Sequence, residues 1–133
     1  MPKKSGKLAV KESQIQRAIE DYLRLMEGCG RLLYIKNNSG AMKVQHGGGA
    51  SSFVRFGKKG SSDFLIWIPV VFKNEKGERV RELRTIFLEV KSASGEMSED
   101  QVTFQGMVQR LGGVYCLVRD AGEVCRIVNS YSR

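Results

Sequence analysis

Two apolar runs, Phe64–Phe72 and Leu83–Lys91, flank the turn-forming segment Asn74–Glu78, and this arrangement constrains the chain more than any other feature. Runs rich in aliphatic, β-branched and aromatic residues suit buried strands, and a short polar segment with a glycine folds them back as an antiparallel hairpin. Strand alternation then puts Glu89 and Lys91 on one face, with Val90 turned away. Asp63 opens the first run, so antiparallel pairing carries it toward Glu89 and Lys91.

The rest of the chain adds helices around this pair. From Glu12 to about Met26, Ile15, Ala18, Ile19, Tyr22, Leu23 and Met26 recur at helical spacing, and Gly28 and Gly30 end the pattern. Leu32 to Ile35 predicts a strand, the glycine-rich stretch Asn37–Ser52 a mobile loop, and Phe53–Phe56 a short strand before the turn Gly57–Asp63. Ser98 to Leu111 predicts a second helix with Phe104, Met107, Val108 and Leu111 on one face, closed by Gly112 and Gly113. Val114–Arg119 is a further buried strand, and Val124, Ile127, Val128 and Tyr131 suit a short third helix. The expected fold class is α/β, a mixed sheet flanked by helices. A length of 133 residues fits one core, with 1–11 as a flexible basic arm and 12–133 as the domain.

Charge narrows the partners. The net charge is +8, and residues 1–60 carry all of it, with 12 Lys and Arg against 4 Asp and Glu. A polyanion is the natural counterpart, because neutralising phosphates releases condensed counterions. A solubilising surface is the plainer alternative, so charge alone does not decide. Cys29, Cys116 and Cys125 have no CxxC spacing and His46 is the lone histidine, which disfavours structural zinc or a disulfide framework. Cys116 and Cys125 fall in apolar patterns and suit reduced, buried, inert thiols. No apolar run approaches the ~20 residues of a membrane span. The start, Met1–Lys11, lacks a signal-peptide pattern, so a cytoplasmic setting of viral or bacterial kind is expected, otherwise a nuclear one.

Asp63 and Glu89 carry the candidate chemistry. Two neighbouring carboxylates repel and favour a hard cation between them, and oxygen donors without histidine or thiolate suit Mg2+, with Mn2+ as substitute. A cation so held acidifies a water and offsets charge growing on a phosphodiester, with Lys91 beside it. Such a spacing also arises by chance, Asp63 capping a turn and Glu89 pairing with Lys91. Two more residues bear on the choice. Glu12 lies within the arc of Ile15, Ile19 and Leu23, where a carboxylate faces the core, although a first-turn acid also suits the helix dipole. Gln101 borders the arc of Phe104 and Val108, although Ser98 and Gln101 also have capping-box spacing.

The ordered set E-x-x-I-Q from Glu12, G-x-x-D ending at Asp63, F-L-E-V-K-S from Phe87, S-x-x-Q-x-x-F from Ser98 and G-G-V-Y-C-L-V-R from Gly112 resembles the virus-type replication and repair nuclease (VRR-NUC) domain of the PD-(D/E)xK superfamily. The resemblance runs from about Glu12 to Arg119. It implies a restriction-endonuclease-like α-β-β-β-α-β core and a Mg2+-dependent, structure-selective DNA endonuclease. It implies Glu12, Asp63, Glu89, Lys91 and Gln101 as catalytic residues, with Asp63, Glu89 and the Val90 carbonyl as metal ligands. Gln101 would buttress Lys91 or touch the substrate. Ser62 stands where the family usually has proline, a residue that shapes the turn rather than doing chemistry. Stand-alone members resemble Holliday-junction resolvases and tend to be homodimers, so branched DNA is the expected substrate. Lys43, Arg55, Lys58 and Lys59 are the expected phosphate contacts, and His46 could also face DNA. The alternatives are a monomeric flap or single-strand nuclease, or a DNA-binding module without catalysis.

Overall fold

The computed structural model describes residues 10–38 and 40–131, with main chain alone at 40, 41, 55 and 56. Most of the basic arm therefore lies outside the described residues, and its last residue, Lys11, sits at the N-cap of the first helix. That helix, α1 (Glu12–Gly28), forms where Ile15, Ile19 and Leu23 recur every four residues and bury one stripe. The Gln14 side chain accepts the Lys11 N–H at 3.0 Å, and at the far end Gly30 adopts φ +72° while Arg31 N–H reaches Met26 O at 3.0 Å. A left-handed residue there lets the last carbonyls find donors, which is why the helix stops just past Gly28.

Strand β1 (Leu33–Lys36) follows, then a hairpin of β2 (Gly40–Gln45) and β3 (Ser51–Phe56). The sequence reading of Asn37–Ser52 as a loop is thus corrected. Six antiparallel register pairs join β2 to β3, and His46 N–H to Ala50 O at 2.8 Å closes the turn. The expected strand Phe53–Phe56 falls within β3, whereas polar alternation and glycines hide β2 from a pattern search. Among the described residues the hairpin touches no other element, and Phe53 is 76% exposed.

Strands β4 (Phe64–Lys73) and β5 (Arg79–Val90) pair antiparallel over ten positions, from Phe64↔Leu88 to Lys73↔Arg79. The Asn74 carboxamide oxygen accepts the Lys76 and Glu78 N–H groups and shapes the turn. The return strand starts at Arg79 rather than Leu83, because a charged, exposed strand end carries no apolar alternation to read. Helix α2 (Glu99–Arg110), strand β6 (Val114–Val118) and helix α3 (Ala121–Tyr131) complete the chain.

The main sheet has the order β1-β4-β5-β6, with β6 parallel to β5 and the other pairs antiparallel. It is a mixed α/β fold with a second, two-stranded sheet. One face of the main sheet, through Phe64, Ile66, Ile68, Ile86, Leu88, Val90 and Val118, packs on α1 and α3. Each such side chain removed from water contributes about 1.5–3 kcal/mol. The opposite face is covered in part by α2, whose Phe104 ring meets Phe87 at 5.5 Å and Tyr115 at 6.4 Å. The apolar stripe of α2 is narrower than its spacing suggests. Val108 is buried, but Met107 is exposed and Leu111 is 85% exposed, since α2 meets the sheet through Gln101, Phe104 and Val108 and its far flank lies beyond the sheet.

Candidate active site

Asp63 directly precedes Phe64, whose register partner is Leu88, so it stands beside the Glu89–Val90 end of β5. Its Oδ2 accepts the Val90 N–H at 2.7 Å. Glu89 and Lys91 are both buried, Glu89 to 1% exposure, and the Lys91 N–H extends the parallel ladder to Val118 O at 3.0 Å. The Lys91 ammonium lies 3.7 Å from Glu89 Oε1, and the Gln101 Nε2 donates to that same oxygen at 2.8 Å. Glu89 Oε2 is buried with no protein hydrogen-bond partner, and so is the Tyr115 hydroxyl. A buried carboxylate oxygen left unpartnered is costly.

Electrostatics agree with the geometry. Burial first, then the nearby Asp63 charge, push the Glu89 carboxyl up to about 8, against the opposing pull of Lys91. Burial also raises Asp63, opposed by the Val90 N–H, by a hydrogen bond with the Glu89 carboxyl and by Lys91. Two carboxylates this close cannot both ionise freely without a cation. The Tyr115 hydroxyl is raised as well, by burial and by Glu89 and Asp63.

Surrounding contacts hold the pieces in place. Asn37 donates from Nδ2 to Ser61 Oγ at 2.7 Å and Ser62 O at 2.9 Å, and its N–H reaches Asp63 O at 2.8 Å. Ser62 is buried with its hydroxyl on Phe64 O at 3.3 Å. Gly60 has φ +78°, and a Cβ there would come within 2.3 Å of Asp100 O, so only glycine lets this turn lie on the start of α2. On the other side of Lys91, the Arg119 guanidinium donates to Ser92 O and to Gly95 O at 2.9 Å, pinning the segment that follows the lysine.

The expected site residues divide into three groups. Asp63, Glu89, Lys91 and Gln101 converge. Glu12 is half-buried and reaches Asp63 only through Gln16, whose Nε2 lies 3.3 Å from Asp63 Oδ1 and 3.5 Å from Glu12 Oε1. Among the described residues no three His, Cys, Asp or Glu side chains cluster tightly enough to hold a metal by themselves. Gln101 and Lys91 meet on the same Glu89 oxygen: the Gln101 amide donates to Glu89 Oε1, 3.7 Å from which the Lys91 ammonium lies, while the Gln101 carbonyl caps Ser98 N–H at 2.9 Å. The Val90 main chain enters through its N–H on Asp63.

Among the described residues, Lys43, Lys58 and Lys59 form no ion pair with Asp63 or Glu89. Lys58 is exposed in the turn, Lys59 pairs with Asp100 at 3.3 Å, and Lys43 is exposed on β2. Arg55 has its main chain on β3 opposite Ala41, and its side chain lies outside the described residues. His46 approaches Ser52 Oγ at 2.6 Å.

Sequence reading assigned no role to Gln16, Tyr115, Asn37 or Arg119. Gln16 sits one helical turn after Glu12, a spacing that signals a shared face. Tyr115 alternates with Leu117 on β6, whereas nothing local marks Asn37 or Arg119, whose partners are distant in sequence. The three cysteines are free; Cys29 is exposed, and Cys116 and Cys125 are half-buried rather than buried, with burial raising the Cys116 thiol.

The donor set fits a hard divalent cation that keeps much of its water shell: two carboxylates together, one with a buried, unpartnered oxygen. No protein-family model matches the chain, and neither a curated protein nor a solved structure is found to be similar to it. Among the described residues no helix is long and apolar enough to cross a membrane.

Proposed function

We propose that this protein is a Mg2+-dependent, structure-selective DNA endonuclease with a restriction-endonuclease-like core of the VRR-NUC kind. The element order supports the core: leaving out the β2–β3 hairpin, the chain runs helix, three antiparallel strands, helix, parallel strand. The observation that carries the reading is the meeting of Asp63, Glu89 and Lys91 on one side of the sheet, with Glu89 Oε2 buried and unpartnered.

Asp63 and Glu89 would hold Mg2+ or Mn2+, with the Val90 carbonyl as a further donor. The ion, when bound, supplies Lewis acidity and offsets charge on the phosphodiester. Val90 N–H fixes the Asp63 carboxylate, and Gln101 fixes Glu89, so neither must reorganise on binding. The Lys91 ammonium would orient the attacking water or steady the pentacovalent phosphate. Glu12 and Gln16 would order water beside Asp63. Hydrolysis leaves a 5′-phosphate and a 3′-hydroxyl.

Branched DNA such as a Holliday junction, cut by a homodimer, is the substrate we favour, since a two-fold axis pairs two sites across a junction. Labelled four-way junction, fork, flap and duplex DNAs incubated with Mg2+ test this. Junction cleavage that disappears in Glu89→Ala and Lys91→Ala supports it. Binding without cutting, or cutting that survives both changes, overturns the site; a monomer in sedimentation with flap preference overturns the junction-resolving version alone.

A further inference from the structure

A second basic feature lies at the other end of the sheet. A cavity of about 640 Å3 opens where the β4–β5 hairpin leaves the core, walled by Ile68 and Val71 and rimmed by Arg31, Arg79, Arg81 and Tyr131. No carboxylate lines it among the described residues. Arg79 and Arg81 alternate along β5 and so project to the same side, and among the described residues neither forms an ion pair. Arg79 also stands directly opposite Lys73 in the register, and like charges so placed destabilise a strand pair. An anion held by Arg79 and Arg81 in the cavity offsets part of the positive charge gathered at this end of the hairpin.

We propose that this cavity binds phosphate-ester anions. Guanidinium forks match phosphate oxygens in pairs, and Arg79 and Arg81, two positions apart on one strand, bring two forks to one concavity. Tyr131 lines the cavity beside them, and the aliphatic walls suit a ribose or base next to the phosphate. The volume lies in the range of sites that take nucleotide-sized ligands, roughly 300–1,000 Å3. The cavity is separate from the carboxylate cluster, because the extended chain from Asp63 to Val71 rises roughly 26 Å. It therefore stands whether or not Asp63 and Glu89 cleave anything. The same chemistry admits two sources, the backbone of a nucleic acid or a free nucleoside triphosphate.

The test compares the full wild-type chain with Arg79→Ala/Arg81→Ala. Binding of inorganic pyrophosphate, ATP and a labelled duplex of roughly two helical turns is measured across a salt series. Loss of duplex affinity alone, with a salt slope shallower by about 1–2, supports the site with nucleic acid as its source. Parallel loss for pyrophosphate and ATP supports it with a free triphosphate as its source. Unchanged affinities and slope in a folded variant overturn it. Should the variant fail to fold, the wild-type amide spectrum decides. Shifts at Arg79, Arg81 and Tyr131 on adding pyrophosphate or a short oligonucleotide support the cavity, and their absence with both ligands overturns it.

Discussion

Gln101 joins the start of α2 to Glu89: its carbonyl accepts the Ser98 N–H at 2.9 Å while its amide donates to Glu89 Oε1 at 2.8 Å. Capping and site-building, which the sequence offered as competing roles, are carried by the two ends of one carboxamide. Gln101→Ala is expected to lose about 1 kcal/mol of stability as a lost cap and to lower metal affinity or cleavage roughly 10–100-fold as a lost outer support. Ser98→Ala is the matched control, with a similar stability loss in urea and near-normal cleavage. Equal cleavage by both variants would detach Gln101 from the site.

Glu89 makes the metal-free protein sensitive to pH. Its folded carboxyl is pushed up to about 8 from an ordinary 4.5, so folding favours the protonated form. The associated stability is full below 4.5 and is lost as pH rises through about 8. Melting temperatures taken without divalent ions should fall across that window, and Glu89→Gln should flatten the fall. A wild-type midpoint that climbs over the same range contradicts the burial described for this acid.

Gly60→Ala tests the turn before Asp63. The left-handed backbone alone costs about 1–2 kcal/mol for a residue with a Cβ, and the new atom meets Asp100 O at 2.3 Å. The variant should lose at least that much in chemical denaturation, together with metal binding, as the turn moves Asp63. Lys59→Ala removes only an exposed ion pair to Asp100 and should change stability by less than ~1 kcal/mol.

Tyr115→Phe removes a buried hydroxyl that has no protein partner. Without divalent ions the change should be neutral or stabilising by up to about 1–3 kcal/mol, the cost of an unsatisfied buried group. A loss of more than 1 kcal/mol, on the order of one made hydrogen bond, would show that the hydroxyl is satisfied in solution.

Legibility followed the range of the interaction. The β4–β5 hairpin could be read because Asn74–Glu78 and the flanking apolar runs are local, and the Asp63–Glu89 approach follows from that hairpin by geometry. Helices α1 and α3 announced themselves through Ile15, Ile19, Leu23, Val124 and Val128, all buried. Phe53–Phe56 was legible as a strand, but β2 and its pairing with β3 escaped because Met42 and Phe53 are exposed and no burial pattern marks a shared face. Leu111 misled for the converse reason: its helical spacing was right, but no second layer covers that side of α2. Gln16 and Arg119 depend on tertiary neighbours that spacing cannot show.

The contacts of Asn37 have a consequence for how this chain tolerates change. By gripping Ser61, Ser62 and Asp63 just before β2 begins, Asn37 brings the two ends of the intervening segment together at its base. Within that segment, among the described residues, the β2–β3 hairpin contacts no other element, whereas Lys59 and Gly60 lie on Asp100 of α2. Lengthening the hairpin tip costs little free energy, about 0.6 kcal/mol per doubling. The β2–β3 tip can accordingly be swapped, trimmed or extended while the carboxyl of Asp63 keeps its position.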